Sequence, residues 1–452
     1  MIIVVTLLST YFGAIFGISF ATILLIIFGY GWGSLPFFYL RIIEAFQNFF
    51  SLDYPVDNEH ERSIIIKRSS NFLNENDSDD EEFFSNENYK NAFDISIDAF
   101  KNGFETVIQD DLSAAFDVAP SFCETLLEYL NRLNLQKISN LLLCDLQFFA
   151  YAASLIFRYT ILLPVRFSLI ATSFLYAFCA VFLSYFIQLT LKQRIDISVT
   201  YCRLYGAGIG LIAKYHNSQN RPRSPGIAVS NHISPNDIQI IFADISSYGS
   251  DGFTVTGQKH GGIIWLIERL VERICPAIWM ERSDSESRKR FTTEIFNSAI
   301  SHPVLLFPEG YCTNNTSILR FRKAIFKSGI NIYPIALRQK SRFGDSFWRE
   351  DQFWRYMLRV ITSWAIVYDV FYLEAMQKSH SETNETFANR VRQEISRAAQ
   401  IKPIKSDGRL WYLEIERQRM KEMQMRKFSN IFYEIFIRRE IHCESEIHKR
   451  NL

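Results

Sequence analysis

The residues best suited to chemistry are a histidine and an aspartate five positions apart, His232 and Asp237. They lie in a short polar segment that follows an apolar run at residues 226–230. A carboxylate bonded to one imidazole nitrogen fixes the tautomer and leaves the other nitrogen free to accept a proton. A neutral histidine, with an ordinary pKa of about 6.5, can take a hydroxyl proton at cellular pH. The pair therefore predicts a general base that activates an alcohol.

The residues between the two predict a strand-to-helix turn that brings them together. Ser234 is a favourable helix N-cap, and Pro235 is favourable at the first helical position. Asp237 would then fall in the first helical turn, near the positive end of the helix dipole. Because Ser234 is assigned to the cap, we expect the substrate's own hydroxyl group to be the nucleophile, with His232 as its base.

On its own this spacing also occurs in ordinary turns, but three later polar segments, each after a predicted strand, strengthen the interpretation. They are residues 257–262, a segment with Arg282, and a segment with Glu309 and Gly310. In open α/β sheets, ligands bind beyond the carboxyl ends of the strands. Arg282 carries a planar guanidinium suited to phosphate. Glu309 is predicted to hold a substrate hydroxyl or to orient Arg282, and Gly310 lets a ligand approach the backbone.

Short β-branched and aromatic runs alternate with longer mixed segments from about residue 199 to residue 408. The runs lie at residues 226–230, 253–256, 277–280, 304–307 and 332–336, with a further run at 360–373. Segments 262–273 and 284–301 have helical patterns. This alternation predicts an α/β domain around a largely buried sheet.

Two apolar stretches precede this domain. Residues 1–40 contain no charged side chain. A membrane-spanning helix needs about 20 apolar residues, whereas a cleaved signal peptide has an apolar region of only about 7–15, so we predict an anchor. The second stretch, residues 146–191, is interrupted by Arg158, Pro164 and Arg166. It is compatible with two spans, a re-entrant hairpin, or interfacial helices that place the Arg158 guanidinium at the headgroups.

The remaining regions are polar by comparison. Residues 41–145 hold an acidic loop and short helical patterns, and residues 409–452 form a charged helical tail. The formal net charge of +1 gives no reason to expect nucleic-acid binding. Seven cysteines are scattered singly, which predicts neither a disulfide framework nor a zinc site. We expect no metal and no cofactor.

The polar segments match, in order, the blocks of a known family. His232 with Asp237, Arg282, residues 307–310 and residues 333–336 resemble the four blocks of the PlsC/LPLAT-type glycerolipid acyltransferases. Longer segments at 163–166, 275–283, 314–317, 343–348, 362–367 and 387–391 resemble the microsomal glycerol-3-phosphate acyltransferases. The resemblance implies a mixed α/β sheet with helices on both faces, preceded by hydrophobic membrane helices.

The resemblance also implies an activity, acyl-CoA:sn-glycerol-3-phosphate 1-O-acyltransferase, which makes lysophosphatidate for phospholipid and triacylglycerol synthesis. The implied partners are acyl-CoA as co-substrate, glycerol-3-phosphate and the lipid bilayer, and the implied location is the endoplasmic reticulum membrane with the catalytic domain facing the cytosol. Carried over by position, His232 is the base and Asp237 its partner. Arg282, Glu309 and Gly310 fall in the glycerol-phosphate site.

Departures from the family's pattern leave the acceptor open. Tyr311 stands where the family usually has threonine, and Ala324 and Ile325 replace the usual glycine and serine. Lys323, next to them, is still predicted to pair with phosphate. A bulky phenol at position 311 would reshape the acceptor pocket, so lysophosphatidate or another lysophospholipid is an alternative acceptor. A non-catalytic membrane scaffold of the same fold is an alternative of a different class.

Overall fold

The computed structural model describes residues 2–50, 141–245, 252–259, 272–281, 285–349 and 352–408, together with Leu112, Ala115, Phe116, Arg269 and Arg426. Nearly all of them belong to one compact unit, Met1–Leu52 with Phe116–Lys405. The acidic loop and the C-terminal tail, apart from Arg426, lie outside the described residues. So do Arg282 and most of the helix expected at residues 262–273.

The N-terminal part of the described chain is helical. Its helices are α1 (Ile2–Ile27), α2 (Leu35–Phe50), α3 (Leu141–Phe157) and α4 (Leu163–Leu183), and a π-helical turn at Arg158–Leu162 joins α3 directly to α4. Two stretches of the described residues, Val4–Ile27 and Phe149–Leu183, are long and apolar enough to cross a membrane. Because α1 ends at Ile27 and α2 begins at Leu35, the charge-free stretch 1–40 is not one helix.

The α/β part of the described chain follows from residue 191 onward. Its helices are α5 (Leu191–Gly208), α6 (Asp237–Ala243), α7 (Ser285–Ser301), α8 (Phe353–Thr362) and α9 (Asn384–Ala399). Its strands are β1 (Leu211–His216), β2 (Gly226–Ser230), β3 (Thr254–Gln258), β4 (Ala277–Met280), β5 (Val304–Leu306), β6 (Ser317–Ile318), β7 (Asn331–Gln339), β8 (Ile366–Tyr372) and β9 (Lys402–Pro403). Short 3-10 turns lie at Ser218–Asn220 and Lys323–Ile325.

Seven of these strands form one mixed sheet in the order β1-β8-β7-β2-β5-β3-β4. The strands from β7 to β4 are parallel to one another, whereas β8 pairs antiparallel with β7 and parallel with β1. Strands β2 and β5 are buried along their whole length, as expected of parallel strands covered on both faces. The two remaining strands, β6 and β9, pair in a small separate sheet. The predicted mixed α/β sheet is confirmed.

Helices cover both faces of this sheet. On what we call the first face, α6 and α8 contribute Ile240 and Val360 to the core, beside side chains of α5. On the second face, α7 and α9 contribute Ile295 and Phe387 to a separate core. Both cores are formed by apolar side chains that alternate along the strands, so burial of both faces holds the sheet between two helical layers.

Helix α4 packs along α5, on the first face. A Cβ on Gly208 would collide with Ile170, and Phe174 meets Tyr201 and Tyr205 edge-on with ring centroids 6.2 Å apart. Away from this contact, α4 carries exposed aromatic and aliphatic side chains: Phe167, Leu175, Phe178 and Phe182. One side of α4 is therefore covered by protein and the other is apolar and uncovered.

Trp364, in the loop between α8 and β8, joins the N-terminal helices to the domain. Leu40 and Ile43 of α2 lie in the same apolar cluster, and the ring of Phe157 stacks on the indole with centroids 6.0 Å apart. The hydroxyl of Tyr39 donates to the Trp364 carbonyl at 2.9 Å. Helix α2 thus packs on the domain instead of extending the anchor.

Two arginines of the apolar segment are buried at the end of α8. Arg166, 5% exposed, donates to the carbonyls of Ile361 at 2.9 Å and Trp364 at 2.6 Å. Arg158, 4% exposed, lies 3.4 Å from the Thr362 carbonyl. The alternative in which Arg158 reaches the lipid headgroups is therefore wrong. The free carbonyls at the C-terminal end of α8 accept from the Arg166 guanidinium, and the Arg158 guanidinium lies beside them.

Candidate active site

The segment that contains His232 and Asp237 is a strand-to-helix turn, since β2 ends at Ser230 and α6 begins at Asp237. Asn236, and not Ser234, is the N-cap of α6. The Ser234 hydroxyl acts within the turn, where it accepts the N–H of Asn236 and donates to Oδ1 of Asp237, each at 3.2 Å. The predicted cap is therefore wrong by two positions, because this local bonding delays the helix. The expected place of Asp237 in the first turn is confirmed.

The imidazole and the carboxylate are in contact. Nδ1 of His232 lies 2.8 Å from Oδ2 of Asp237. The same oxygen accepts the backbone N–H groups of Ile233 at 2.6 Å and Ser234 at 3.1 Å. Since Asp237 is fully buried, these donors replace water around its charge. The carboxylate is held by these donors, and Nε2 is the imidazole nitrogen that does not face it.

The surroundings of His232 favour a proton on its ring. The ring stacks on Phe307 with centroids 4.3 Å apart, and the side chain is 19% exposed. Burial lowers the pKa of His232, but interactions with the Cys312 and Asp237 side chains outweigh burial, and the pKa lies well above its ordinary value. An imidazolium formed by proton transfer is therefore stabilised where it forms.

The backbone of His232 is held from both sides by the loop that follows β5. Oε1 of Glu309 accepts the N–H of His232 at 2.8 Å, and the N–H of Thr313 donates to the His232 carbonyl at 2.9 Å. Oε2 of Glu309 accepts the N–H of Leu319 at 2.8 Å. Burial raises the pKa of Glu309 to about 8, against the opposing effect of the Leu319 and His232 N–H groups.

The geometry therefore gives Glu309 a different place from the one expected. The carboxyl group is fully buried and both its oxygens accept backbone donors, so it is not open to a substrate hydroxyl. Glu309 joins the loop of residues 309–313 to the turn that bears His232. This contact fits a residue that positions His232.

Gly310 adopts a left-handed conformation, φ +74°, and lies under a guanidinium. The nearest atoms to a Cβ built there belong to Arg322, at 3.1 Å. The same guanidinium lies 5.7 Å from the ring centroid of Tyr311, and the backbone N–H of Arg322 donates to the Pro308 carbonyl at 3.0 Å. Arg322 is thus an exposed cation next to Gly310 and Tyr311, and a candidate site residue that the sequence interpretation did not select.

Lys323, the cation selected from the sequence, points elsewhere. Its Nζ lies 3.2 Å from a carboxylate oxygen of Glu385 on α9, and Arg320 binds the same carboxylate. Lys323 and Arg322 are adjacent, and composition alone does not tell which of two neighbouring cations faces a site. Arg282 lies outside the described residues, so its predicted role stays a prediction.

Two asparagines fix the turn from behind. The Tyr205 hydroxyl donates to Oδ1 of Asn236 at 3.1 Å, and Nδ2 of Asn236 donates to the Tyr356 hydroxyl at 2.7 Å. Asn231 exchanges two hydrogen bonds with the backbone of Leu337 in β7, at 2.9 Å and 2.8 Å. These partners are distant in sequence, which is why neither asparagine was singled out as a positioning residue.

The amino-acid sequence of this chain is similar to those of known proteins. A sequence model of the Acyltransferase family matches residues 212–338. A glycerol-3-phosphate acyltransferase 3-like protein of Danio rerio is 33% identical over 340 residues, covering 73% of this chain and 74% of that protein. Glycerol-3-phosphate acyltransferase 4 of Homo sapiens is 33% identical over 341 residues, covering 73% and 72%. The chain belongs to the PlsC-type glycerol-3-phosphate acyltransferase family.

Among solved structures, the 1-acyl-sn-glycerophosphate acyltransferase PlsC from Thermotoga maritima aligns with 53% of this chain and 94% of that chain, at 18% identity and a TM-score of 0.39. The residues matched by the Acyltransferase sequence model, 212–338, include the His232–Asp237 pair, Glu309 and Arg322. Family membership and the two apolar stretches together indicate a membrane protein. In the described part of the chain, no group of three or more histidine, cysteine, aspartate or glutamate residues is placed to hold a metal ion.

Proposed function

We propose that the protein is an acyl-CoA:sn-glycerol-3-phosphate 1-O-acyltransferase. The observation that carries the proposal is the contact between the buried Asp237 carboxylate and Nδ1 of His232, 2.8 Å long, which leaves Nε2 as the proton acceptor. Curated relatives with about a third of their aligned residues identical carry the name glycerol-3-phosphate acyltransferase, which supports this acceptor.

The proposed reaction is a direct transfer. The C1 hydroxyl of glycerol-3-phosphate gives its proton to Nε2 of His232 while its oxygen bonds to the thioester carbonyl carbon. The tetrahedral intermediate then collapses, the carbon–sulfur bond breaks, and the imidazolium returns the proton to the departing CoA thiolate. Asp237 stabilises the imidazolium between these steps. The products are lysophosphatidate and CoA, and acyl-CoA is the only co-substrate.

We assign the acceptor's phosphate to Arg322 and Arg282. The position of the Arg322 guanidinium over Gly310 and beside Tyr311 supports its assignment, because the same loop positions the base through Glu309. A guanidinium binds phosphate through paired N–H donors. Lys323 is not given this role, because its ammonium group is paired with Glu385.

The proposed location is the endoplasmic reticulum membrane, with the catalytic domain in the cytosol. The CoA part of acyl-CoA is charged and stays on the aqueous side of the bilayer, so a catalytic domain on the cytosolic side meets the co-substrate made there. The apolar stretches Val4–Ile27 and Phe149–Leu183 support attachment to a bilayer.

The test is acyl transfer by membranes that contain the protein, with oleoyl-CoA and either radiolabelled glycerol-3-phosphate or radiolabelled lysophosphatidate. Lysophosphatidate made from glycerol-3-phosphate by the wild type, and not by His232→Ala, is the expected result. Phosphatidate made from lysophosphatidate alone would reassign the acceptor. No product from either acceptor would favour the non-catalytic scaffold.

A matched pair of variants tests the phosphate site. Arg322→Gln is expected to raise KM for glycerol-3-phosphate about tenfold or more, with a smaller change in kcat, because a charge-assisted phosphate contact is lost. Lys323→Gln removes the neighbouring cation and is expected to leave KM unchanged. If Lys323→Gln had the larger effect, the assignment of Arg322 would be wrong.

A further inference from the structure

Large apolar side chains are rarely exposed on the catalytic domain, and they concentrate on one helix. Among the described residues after position 190, the exposed large apolar side chains are Ile300, Phe353, Trp354 and Leu358. The last three belong to α8 and are 50%, 60% and 38% exposed. Three such side chains on ten residues form an apolar surface that folding of the domain does not cover. We call it the α8 patch.

The α8 patch adjoins the membrane helices. The C-terminal end of α8 is bound to α4 by Arg166, which donates to the Ile361 carbonyl one turn beyond Leu358. Phe167, the next residue of α4, is 63% exposed. Helix α8 also lies on the first face of the sheet, the face along which α4 packs. The α8 patch and the exposed apolar side chains of α4 therefore lie on neighbouring helices on the same face of the sheet.

The α8 patch also has the side-chain chemistry of a membrane interface. Trp354 is an exposed indole, and the guanidinium of Arg355 lies 5.4 Å from its ring centroid. Tryptophan is enriched where hydrocarbon meets headgroups, and arginine places its charge among the phosphates while its stem covers apolar surface.

Behind the α8 patch, one layer of aromatic rings leads to the catalytic turn. Trp348 lies edge-on to Phe353 at 5.5 Å and stacks on Tyr356 at 5.6 Å between centroids. The Tyr356 hydroxyl accepts from Asn236, the N-cap directly before Asp237. The catalytic turn is thus separated from the α8 patch by the Trp348 and Tyr356 rings.

We propose that Phe353, Trp354 and Leu358 enter the interface of the bilayer, so that the catalytic domain itself touches the membrane next to its catalytic turn. The occupant of the α8 patch is lipid. A second consequence rests on the function proposed above: a long-chain acyl-CoA whose tail is dissolved in the bilayer reaches His232 along this helix. A short-chain donor dissolved in water does not need the contact.

The membrane contact is tested by fluorescence in nanodiscs, without any measurement of activity. The chain has seven tryptophans, so the signal of Trp354 is taken as the difference between the wild type and Trp354→Phe. Phospholipids brominated near the headgroup are expected to quench this difference signal, and aqueous iodide is expected to leave it unquenched. Ile300→Trp, placed on the second face, is the control and is expected to respond in the opposite way. Iodide quenching of Trp354 without bromolipid quenching would overturn the proposal.

Kinetics test the delivery of the donor. The triple variant Phe353→Ser, Trp354→Ser, Leu358→Ser is expected to raise KM for oleoyl-CoA severalfold while leaving KM for hexanoyl-CoA and for glycerol-3-phosphate unchanged. Ile300→Ser, the same change on the second face, is expected to alter none of them. An equal loss with both donors would refute donor delivery. A wild type inactive with both donors would instead refute the proposed function, while the fluorescence result would still decide the membrane contact.

Discussion

The described residues include two histidine–aspartate pairs with similar distances, one through Nδ1 of the imidazole and the other through Nε2. His232 and Asp237 are 2.8 Å apart, and the imidazole stacks on Phe307 at 4.3 Å. At the outer edge of the sheet, His216 and Asp369 are also 2.8 Å apart, and that imidazole stacks on Phe371 at 4.4 Å. A hydrogen bond between imidazole and carboxylate therefore does not by itself identify a catalytic base.

The surroundings separate the two pairs. Asp237 is fully buried and binds backbone N–H groups, whereas Asp369 is partly exposed and shares its charge with Lys340, 3.2 Å away. Burial raises the pKa of Asp369, but His216 and Lys340 outweigh it, so the pKa lies below its ordinary value. A carboxylate that also pairs with a lysine forms an ordinary surface ion pair. A carboxylate dedicated to one imidazole can orient it for proton transfer.

The largest difference is expected when each imidazole is removed. His232→Ala should lower kcat by roughly 10²–10⁴-fold, the usual contribution of a general base. His216→Ala should leave kcat unchanged, because this residue lies at the sheet edge. Steady-state rates at equal amounts of membrane-inserted protein check the pair, and an equal loss in both variants would mean that the two sites are not functionally distinct.

Replacing the carboxylate of each pair is expected to change the pH–rate profile of the enzyme for one pair and not for the other. Because the pKa of His232 is raised, the neutral base forms only as the pH rises through that raised value, and wild-type activity should rise over the same range. Asp237→Asn should lower the rate on the order of 10²-fold and move the acid limb of the profile to lower pH. Asp369→Asn should leave the pH–rate profile where it is. An unmoved acid limb in Asp237→Asn would show that Asp237 does not control the base.

A smaller effect is expected at the positioning carboxylate. Glu309→Gln turns one acceptor into an NH₂ group that faces a backbone N–H, which should cost about 1–3 kcal/mol of stability. It should also lower kcat on the order of tenfold by shifting His232. Glu385→Gln, at an exposed carboxylate that binds Lys323, is the control. Thermal unfolding and kcat are the measurements, and matching results for both variants would remove Glu309 from the site.

The smallest effect is expected at two glycines with positive φ. Gly310→Ala and Gly329→Ala should each lose on the order of 1 kcal/mol of stability through backbone strain, since φ is +74° and +91°. Only the new Cβ at position 310 contacts another side chain, that of Arg322, because nothing lies within 4 Å of a Cβ on Gly329. Gly310→Ala alone should therefore raise KM for glycerol-3-phosphate. A similar KM for both would mean that Arg322 does not need its present position.

The strands that could be predicted were those with compact β-branched or aromatic runs. The runs at residues 226–230 and 277–280 coincide with β2 and β4. The run at 360–373 was wrong at its start, because α8 continues to Thr362 and β8 begins at Ile366. Strand β1 was missed: it is half-buried and its Lys-Tyr-His ending lacks a β pattern. Tertiary pairing with β8 determines that strand more than local propensity does.

The candidate site was predictable where it is local in sequence. His232 and Asp237 meet within one turn, so their spacing was sufficient to predict the contact. Glu309 was found by its motif but misplaced, since only the fold places both its oxygens on backbone N–H groups 10 and 77 positions away. The catalytic role of the pair and the phosphate role of Arg282 stay predictions that the variants and assays above are designed to test.

The burial of Arg166 has a consequence for how the protein can be handled. Its guanidinium comes from α4, and the carbonyls that satisfy it belong to Ile361, Ser363 and Trp364 at the far end of the chain. Separating the two would leave a buried charge without partners, at a cost of several kcal/mol. The apolar helix and the catalytic sheet therefore unfold together. Truncation before residue 191 should yield an aggregating fragment in place of a soluble enzyme, and detergents that strip α4 from α5 should inactivate before they solubilise.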